Sequence, residues 1–304
     1  RLGKGTGPLG LGGMAPVSHR GAMRVLRPLL ETSRAAIMAT VEAHDLKVTE
    51  DPSNTDLTFQ RNRLRAAADD LAGLGLTNQG ISRTAQQQGQ ANRLLERQLA
   101  NLAAMAVSID GLGCGYVHYP VFHAAGDGLL RETLIGRLIS TIGGHHYPIK
   151  RQLREHAAQW IAQPFEALKP ITLGRCLLSP SVRDGRQDVT VVRETVTVDA
   201  LELKLTDEND FLRWDNRFSL SVGPFEAGED AKILPADQAV WSMLKEDLPD
   251  RLAGLPARLR CSLPSLYRRG DPIAVLAPGY LDAQPAATGW AVSFSPPLPM
   301  LRSY

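Results

Sequence analysis

The spacing of apolar residues changes at about residue 165, and this change constrains the fold more than any other feature of the sequence. Before it, apolar residues recur at helical intervals in the stripe Leu95, Leu99, Leu102, Ala106 and Ile109. After it, polar and apolar residues alternate in "DVTVVRETVTV" (188–198), "LELKL" (201–205) and "RFSLSV" (217–222). Alternation with a period of two is typical of half-buried strands. The sequence therefore predicts helices up to about residue 165 and a strand-rich region beyond it.

The same patterns place further elements along the chain. Residues 77–165 are predicted to form three packed helices, the second of which ends at Gly143 and Gly144. Other helices are predicted at about 28–44, from Asn54 onward with a stripe of leucines at a seven-residue interval, and at about 236–248. The segments "IAVLA" and "AVSFS" add two strands near the end of the chain.

Composition excludes several classes of protein. The chain has 304 residues and a formal net charge of +2, so affinity for a polyanion would require local clusters of Lys and Arg. The three cysteines, Cys114, Cys176 and Cys261, are far apart and lack any C-x-x-C pairing, which argues against a disulfide framework or a zinc site. No apolar run approaches the roughly 20 residues that span a bilayer. We expect a cytoplasmic protein with no membrane partner.

The first 17 residues, "RLGKGTGPLGLGGMAPV", are rich in glycine. A backbone that few side chains obstruct can approach a phosphate group closely. The spacing Gly5-x-Gly7-x-x-Gly10 matches the dinucleotide fingerprint formally. Because no strand precedes it and no strand-helix-strand unit surrounds it, we discard that interpretation. An ordinary glycine-rich turn remains the alternative to a phosphate loop.

The segment "EDPSNTDLTFQRNRLR" (50–65) is predicted to form a turn followed by a basic helix. Asp51 can cap the turn and Asn54 the helix after it. Arg61, Arg63 and Arg65 are then expected near a helix N-terminus, where the macrodipole opposes positive charge. An anionic partner such as a phosphate would offset this cost. The alternative is a solvated basic face that pairs with nearby aspartates, and spacing alone does not decide between the two.

Several blocks of the sequence together resemble the tRNA(Ile)-lysidine synthetases, a bacterial family of ATP pyrophosphatases. "PLLETSRAAI" (28–37) followed by the 50–65 segment looks like the end of their catalytic domain, and "LGKGTGPLGLGGM" (2–14) resembles their glycine-rich loop, with Lys4 and Thr6 in place of Arg and Ser. Shorter blocks resemble the alphaproteobacterial-type members, namely "YPVF" (119–122), "GGHHYP" (143–148), "TLGRC" (172–176), "RE" (193–194) and "WDNRF" (214–218). The ordered series is more specific than any one block.

The resemblance implies a fold and a division of the chain. It implies a multidomain chain of α/β and α+β type. Residues 1–66 would be the C-terminal part of an α/β PP-loop ATPase domain, 67–165 a helical domain that binds tRNA, and 166–304 a mixed, strand-rich region. The Ser-Gly-Gly-x-Asp-Ser loop of the family has no counterpart in these 304 residues. We therefore expect the chain alone to be inactive, without its main ATP site.

The resemblance also implies chemistry and partners. In the family, ATP activates the wobble cytidine of tRNA(Ile) by adenylation, and the amine of L-lysine then displaces AMP. Positive groups and backbone donors around the triphosphate would supply most of the catalysis, with ATP and Mg²⁺ as cofactors. A homodimer is left open, and no metal ligands and no individual catalytic residue are assigned.

The positions that match the family motifs form two sets. ATP binding is expected from Lys4, Gly5, Thr6 and Gly7. Contact with the cytidine or tRNA, or the wall of the active site, is expected from Arg34, Asp51, Asn54, Arg61, Asn62, Arg63 and Arg65.

A third set follows the "HHYP" block, where Lys150, Arg151 and Arg154 give one predicted helix a basic face. Such a face can bind RNA phosphates or can simply be solvated. His145 and His146 are adjacent, so a regular helix could not turn both toward one metal ion.

Two other functions stay open at this point. The chain could be a tRNA-binding module without catalysis, or another PP-loop enzyme that modifies tRNA, such as a cytidine thiolase. Thiolases of this kind commonly use cysteine pairs or an iron-sulfur cluster, which the three isolated cysteines do not favour.

Overall fold

The structure is a computed structural model of the whole chain. It describes residues 8–20, 23–49, 51–54, 56–125, 128–194, 201–203, 211–221, 223, 231–243, 252, 255–281, 284 and 289–300. The chain divides into two compact units, of which the first contains residues up to Arg97 and the second begins at Gln98.

The first unit contains a short hairpin and several helices. Its elements are α1 (Pro8–Leu11), β1 (Val17–Arg20), β2 (Met23–Leu26), α2 (Arg34–Ala43), a 3-10 turn (Pro52–Asn54), α3 (Gln60–Ala66), α4 (Ala68–Gly73) and most of α5 (Asn78–Ala106). Strands β1 and β2 pair antiparallel. Among the described residues up to Arg97, the fully buried side chains are polar, Asn62 and Glu96.

Two predicted helices of this unit differ from the observed ones. The helix expected at 28–44 begins later, at Arg34, because the Ser33 hydroxyl accepts the Ala36 N–H at 3.1 Å and caps it. The helix expected from Asn54 was wrong, because α3 begins at Gln60 and the chain breaks again before α4. The Asp56 carboxylate accepts the Thr58 N–H at 2.8 Å, and this local bond holds a turn where the helix was expected.

The second unit contains the remaining elements. Its helices are α6 (Tyr119–Ala124), α7 (Gly128–Ile142), α8 (Arg151–Ile161), α9 (Gln238–Met243) and α10 (Ala257–Arg260). Its first strands are β3 (Val107–Ile109), β4 (Gly115–His118), β5 (Ile171–Leu173), β6 (Cys176–Arg183) and β7 (Arg186–Arg193). The later strands are β8 (Leu201–Leu203), β9 (Phe211–Trp214), β10 (Phe218–Ser221), β11 (Ala231–Pro235), β12 (Pro264–Arg268), β13 (Asp271–Val275) and β14 (Ala291–Phe294).

A hairpin interrupts the region that the sequence predicted to be helical throughout. The helix ends at Ala106, and Ile109 lies in β3 instead of on the predicted helical stripe. The Asp110 carboxylate accepts the N–H groups of Leu112 at 3.0 Å and Cys114 at 2.8 Å, and these bonds turn the chain back into β4.

The first strands form one five-stranded sheet in the order β3-β4-β7-β6-β5. Strand β4 pairs antiparallel with β7, so this sheet joins segments from both sides of residue 165. Helix α7 is buried along most of its length, with Leu134, Ile135 and Leu138 each 0% exposed. The division at residues 66 and 165 stays a prediction.

The later strands form a four-stranded sheet in the order β13-β12-β11-β8 and a three-stranded sheet in the order β14-β10-β9. They share a core that includes Trp214, Phe218, Trp241 and Leu266. Every segment after residue 200 that the sequence predicted as a strand contains one, which confirms a mixed α/β and α+β chain. In the described ranges, no helix is both long enough and apolar enough to cross a bilayer.

Candidate functional site

The turn at Asp51 is closed by its own hydrogen bonds. The Asp51 carboxylate accepts the Ser53 N–H at 2.8 Å, and the Asp51 carbonyl accepts the Asn54 N–H at 2.9 Å. The side chains of Asp51 and Asn54 are exposed. Both residues thus shape the loop that precedes α3 and remain accessible to a ligand.

Asn62 joins this turn to helix α3. Its side chain is only 3% exposed, and its Nδ2 donates to the carbonyls of Ser53 at 2.9 Å and Asp56 at 2.8 Å. Within the described residues its buried Oδ1 has no hydrogen-bond partner. The sequence did not predict that Asn62 fixes the turn against the helix.

The expected electrostatic cost of the arginines is not what the structure shows. Because α3 spans only Gln60–Ala66, Arg63 and Arg65 lie in its last turn, where the helix dipole favours positive charge. Both side chains are exposed, and Arg63 Nη1 is 3.5 Å from the Leu57 carbonyl. For Arg63 and Arg65 the prediction that they oppose the dipole was wrong, so their position on the helix needs no anionic ligand to offset it. Arg61, the second residue of α3, lies near the helix N-terminus as predicted.

The structure shows less about the other predicted site residues of the N-terminal segment. Arg34 is the first residue of α2 and its side chain is exposed. Arg61 is part of α3. Lys4, Gly5, Thr6 and Gly7 lie outside the described residues.

The basic face predicted near residue 150 is largely neutralised by acidic side chains. Arg151 Nε lies 2.7 Å from the Glu155 carboxylate, and this hydrogen bond raises the pKa of the arginine. Arg154 Nε lies 3.4 Å from the Glu132 carboxylate. Lys150 is exposed and makes no ion pair with any described residue. Of the three predicted phosphate contacts, only Lys150 carries an uncompensated charge.

Four of the shorter motif blocks meet around one buried carboxylate, that of Asp215. Arg193 donates to it twice, from Nε at 2.9 Å and from Nη2 at 2.8 Å, and Arg217 Nε donates at 2.6 Å. Arg193 Nη1 also donates to the Arg175 carbonyl at 3.2 Å. These contacts link the "TLGRC", "RE" and "WDNRF" blocks, since Arg193 is 18 residues from Arg175 and 22 residues from Asp215 along the chain.

Arg217 is completely buried in this cluster. Its Nη2 donates to the Ser262 carbonyl at 2.7 Å, and its guanidinium carbon lies 5.0 Å from the centre of the Phe218 ring. Burial lowers the pKa of Arg217 to about 10, although the Asp215 carboxylate acts in the opposite direction.

The "GGHHYP" block packs against the same cluster. Gly144 has a φ of 64°, and a Cβ at this position would lie 2.7 Å from the Asp215 carbonyl oxygen. A Cβ on Gly143 would lie 2.6 Å from the Gly174 carbonyl oxygen. His145 Nε2 lies 2.9 Å from that same Gly174 carbonyl, so this imidazole anchors the loop.

The cysteines are poorly placed for chemistry at a thiolate. Cys114 and Cys176 are buried, and burial raises the pKa of each thiol to about 12. Burial also raises the pKa of the half-buried Cys261. Within the described ranges, no three His, Cys, Asp or Glu side chains are grouped closely enough to hold a metal ion.

Comparison with family models identifies one domain in the first part of the chain. Residues 1–69 match the family model of the PP-loop domain. This match contains the glycine-rich loop and the Asp51–Asn62 arrangement described above.

Comparison with curated sequences finds relatives that are named for one activity. The chain is similar to the tRNA(Ile)-lysidine synthase of Methylobacterium nodulans, with 38% identity over 112 residues, which is 37% of this chain and 31% of the relative. The corresponding enzyme of a Bradyrhizobium species is 36% identical over 150 residues, or 47% of this chain and 42% of the relative. That of Ruegeria pomeroyi is 29% identical over 287 residues, or 92% of this chain and 63% of the relative.

These matches confirm the resemblance predicted from the sequence. The chain spans less than two-thirds of the length of each of these three relatives, between 31% and 63%.

Proposed function

We propose that the chain is part of a tRNA(Ile)-lysidine synthase. In the reaction, ATP adenylates the wobble cytidine of the CAU anticodon, the new bond to phosphorus forming at the pyrimidine oxygen as pyrophosphate leaves. The amine of L-lysine then attacks the activated carbon and AMP departs. The proposed cofactors are ATP and Mg²⁺, and the proposed partners are tRNA(Ile) and L-lysine.

One observation carries this proposal. The similarity to the Ruegeria pomeroyi enzyme extends over 92% of the chain, far beyond the 69 residues that match a PP-loop domain. A PP-loop segment alone would be compatible with several chemistries on tRNA. Similarity through the helical and strand-rich regions supports the lysine-transferring enzyme in particular.

The described residues support a division of roles around the proposed site. Asp51 and Asn54 present a preformed turn, and Asn62 fixes that turn to α3. Arg34, Arg63 and Arg65 offer exposed guanidinium groups, which suit phosphate and carboxylate oxygens. We propose that these arginines and Arg61 contact the tRNA or the nucleotide, and that Lys4, Gly5, Thr6 and Gly7 bind ATP.

The proposal is tested by lysine transfer in a chimera. The matched region of the Ruegeria pomeroyi enzyme is replaced by this chain, and the product is incubated with tRNA(Ile) transcript, ATP, Mg²⁺ and radiolabelled lysine. We expect ATP-dependent transfer of label to the RNA. A folded chimera that transfers none, beside an active parent enzyme, contradicts the proposal. Label transfer by this chain alone would contradict the expectation that it is inactive by itself.

A cytidine thiolase is the second candidate, and the described cysteines weaken it. Sulfur transfer needs a reactive thiolate or a cluster ligand. Cys114 and Cys176 are buried with a pKa raised to about 12, so at neutral pH their thiols are protonated. Iron in the purified protein, or ATP-dependent incorporation of sulfur into tRNA, would favour the thiolase over the synthase.

A further inference from the structure

Between helices α7 and α8, the chain forms a loop that projects one aromatic ring into solvent. The ring belongs to Tyr147, which is 82% exposed, more than any other large apolar or aromatic side chain of the described residues. Its neighbours His146 and Pro148 are exposed as well. An exposed aromatic ring offers a large apolar face, and burying such a ring against a ligand is strongly favourable.

Both ends of this loop are anchored in the protein. On one side, Gly143 and Gly144 fit closely against the β5–β6 and β9–β10 turns, and the His145 N–H donates to the Ser140 carbonyl at 3.0 Å. On the other side, the Ile149 N–H donates to the Ser140 hydroxyl at 3.2 Å, and Ile149 is 5% exposed.

Ser140 therefore accepts a bond from each end of the loop, and it is itself buried, with 3% of its surface exposed. The loop is closed at its base before any ligand arrives. A loop anchored in this way loses little backbone conformational entropy when its ring binds a ligand.

The charge that follows the ring closely along the chain indicates the class of ligand. Lys150 is three residues further along, exposed, and without an ion pair to any described residue, whereas Arg151 and Arg154 pair with Glu155 and Glu132. An aromatic face together with a single ammonium group suits a nucleotide, because a base stacks on the ring and its phosphate meets the cation.

We propose that Tyr147 is a stacking platform for an unpaired nucleobase of the RNA substrate, with Lys150 contacting the adjacent phosphate. The proposal rests on the proposed function, which supplies the RNA partner. Every base has a face on which a ring can stack, so this contact would hold an unpaired segment without selecting its sequence. The stacking contact would lie in the second unit, in addition to the contacts predicted for residues 34–65.

The test measures the affinity of the full chain for a fluorescein-labelled tRNA(Ile) transcript by anisotropy. Tyr147→Ala is compared with Tyr147→Phe, which keeps the ring, and with Phe211→Ala, which removes a ring that is 78% exposed elsewhere in the unit. We expect Tyr147→Ala to weaken binding about tenfold or more, while the other two variants stay within about twofold of the wild type. All variants are expected to keep the wild-type melting temperature.

Three results would overturn the proposal. The first is an unchanged affinity in Tyr147→Ala, and the second is a Tyr147→Phe variant as weak as Tyr147→Ala, since the hydroxyl would then make the contact. The third is an equal loss on a blunt RNA duplex, which offers no unpaired base. A wild-type chain that binds no tRNA(Ile) at all contradicts the proposed function, and the stacking contact with it. Normal wild-type binding together with an unaffected Tyr147→Ala removes the stacking contact alone.

Discussion

Arg193 and Asp215 form a buried, two-point ion pair, with N–O distances of 2.8 and 2.9 Å and the arginine side chain completely shielded from water. The same carboxylate accepts a third bond from Arg217, so one acidic group balances two buried guanidinium groups. Removing its charge would take away the buried carboxylate that both guanidinium groups contact, which is far more costly than losing an exposed pair.

We therefore predict that Asp215→Asn lowers the free energy of unfolding of the second unit by about 3–5 kcal/mol. Asp184→Asn is the matched control, because Asp184 also occupies a hairpin turn with positive φ, 50° against 47° for Asp215, but its side chain is exposed. Urea unfolding followed by tryptophan fluorescence measures both. Equal midpoints for the two variants would show that the buried carboxylate does not hold this unit together.

Close packing of the "GGHHYP" block leads to a second prediction. Gly144→Ala introduces a Cβ 2.7 Å from the Asp215 carbonyl oxygen at a φ of 64°, so both overlap and backbone strain oppose it. We expect a loss of about 2–4 kcal/mol in the free energy of unfolding.

The control is Gly185→Ala. Gly185 has a φ of 74° but nothing within 4 Å of the added carbon, so it reports backbone strain alone, about 1–2 kcal/mol. If the two alanine variants unfold at the same urea concentration, the loop is not packed against the Asp215 turn as described.

Asn62 gives a prediction about the candidate site in the first unit. Asn62→Ala removes both side-chain bonds that tie the turn to α3, to the Ser53 and Asp56 carbonyls. Loss of such bonds costs about 1–3 kcal/mol, so the Asn54 amide, bonded to the Asp51 carbonyl, should exchange with solvent roughly ten to a hundred times faster.

The exchange rate of the Asn54 amide, measured by NMR, tests this prediction directly. Arg65→Ala serves as the control, because Arg65 is exposed on the same helix. Unchanged exchange at Asn54 in Asn62→Ala would mean that the turn is held by other contacts.

The thiols give a prediction about pH and reactivity. Because burial raises the pKa of Cys114 and Cys176 to about 12, both stay protonated at pH 8, and alkylation requires the thiolate. We expect Cys261, which is only half-buried, to be alkylated first in the folded chain, and all three to react in guanidinium. Mass spectrometry of iodoacetamide-treated protein identifies the sites. Early labelling of Cys176 would contradict its described burial.

Periodicity in the sequence predicted the helices and strands whose apolar residues repeat over several turns or alternate over a whole strand. It failed between residues 107 and 118, because strands of three and four residues are too short to show a period, and the Asp110 side chain makes the turn between them. It failed again at Asp56, whose carboxylate accepts the Thr58 N–H and holds a turn there. The helix that the leucine spacing predicted therefore begins only at Gln60.

The candidate site was predictable only in part. Resemblance to a family identified the blocks, but their spacing gave no sign that "TLGRC", "RE" and "WDNRF" converge on Asp215, because long-range contacts leave no local pattern. The carboxylates that neutralise Arg151 and Arg154 are on the same helix and on α7, and only the second is distant in sequence. The partner of Arg151 follows the usual spacing of four residues and could have been found from the sequence.

The central proposal is that this chain belongs to an enzyme that joins lysine to cytidine. Its most direct test is nucleoside analysis by mass spectrometry of tRNA(Ile) treated with the active chimera, ATP and lysine, with AMP measured in parallel. The account predicts a lysine-cytidine conjugate at the wobble position and one AMP released for each lysine attached. A sulfur-containing cytidine, or lysine attached without release of AMP, would contradict it.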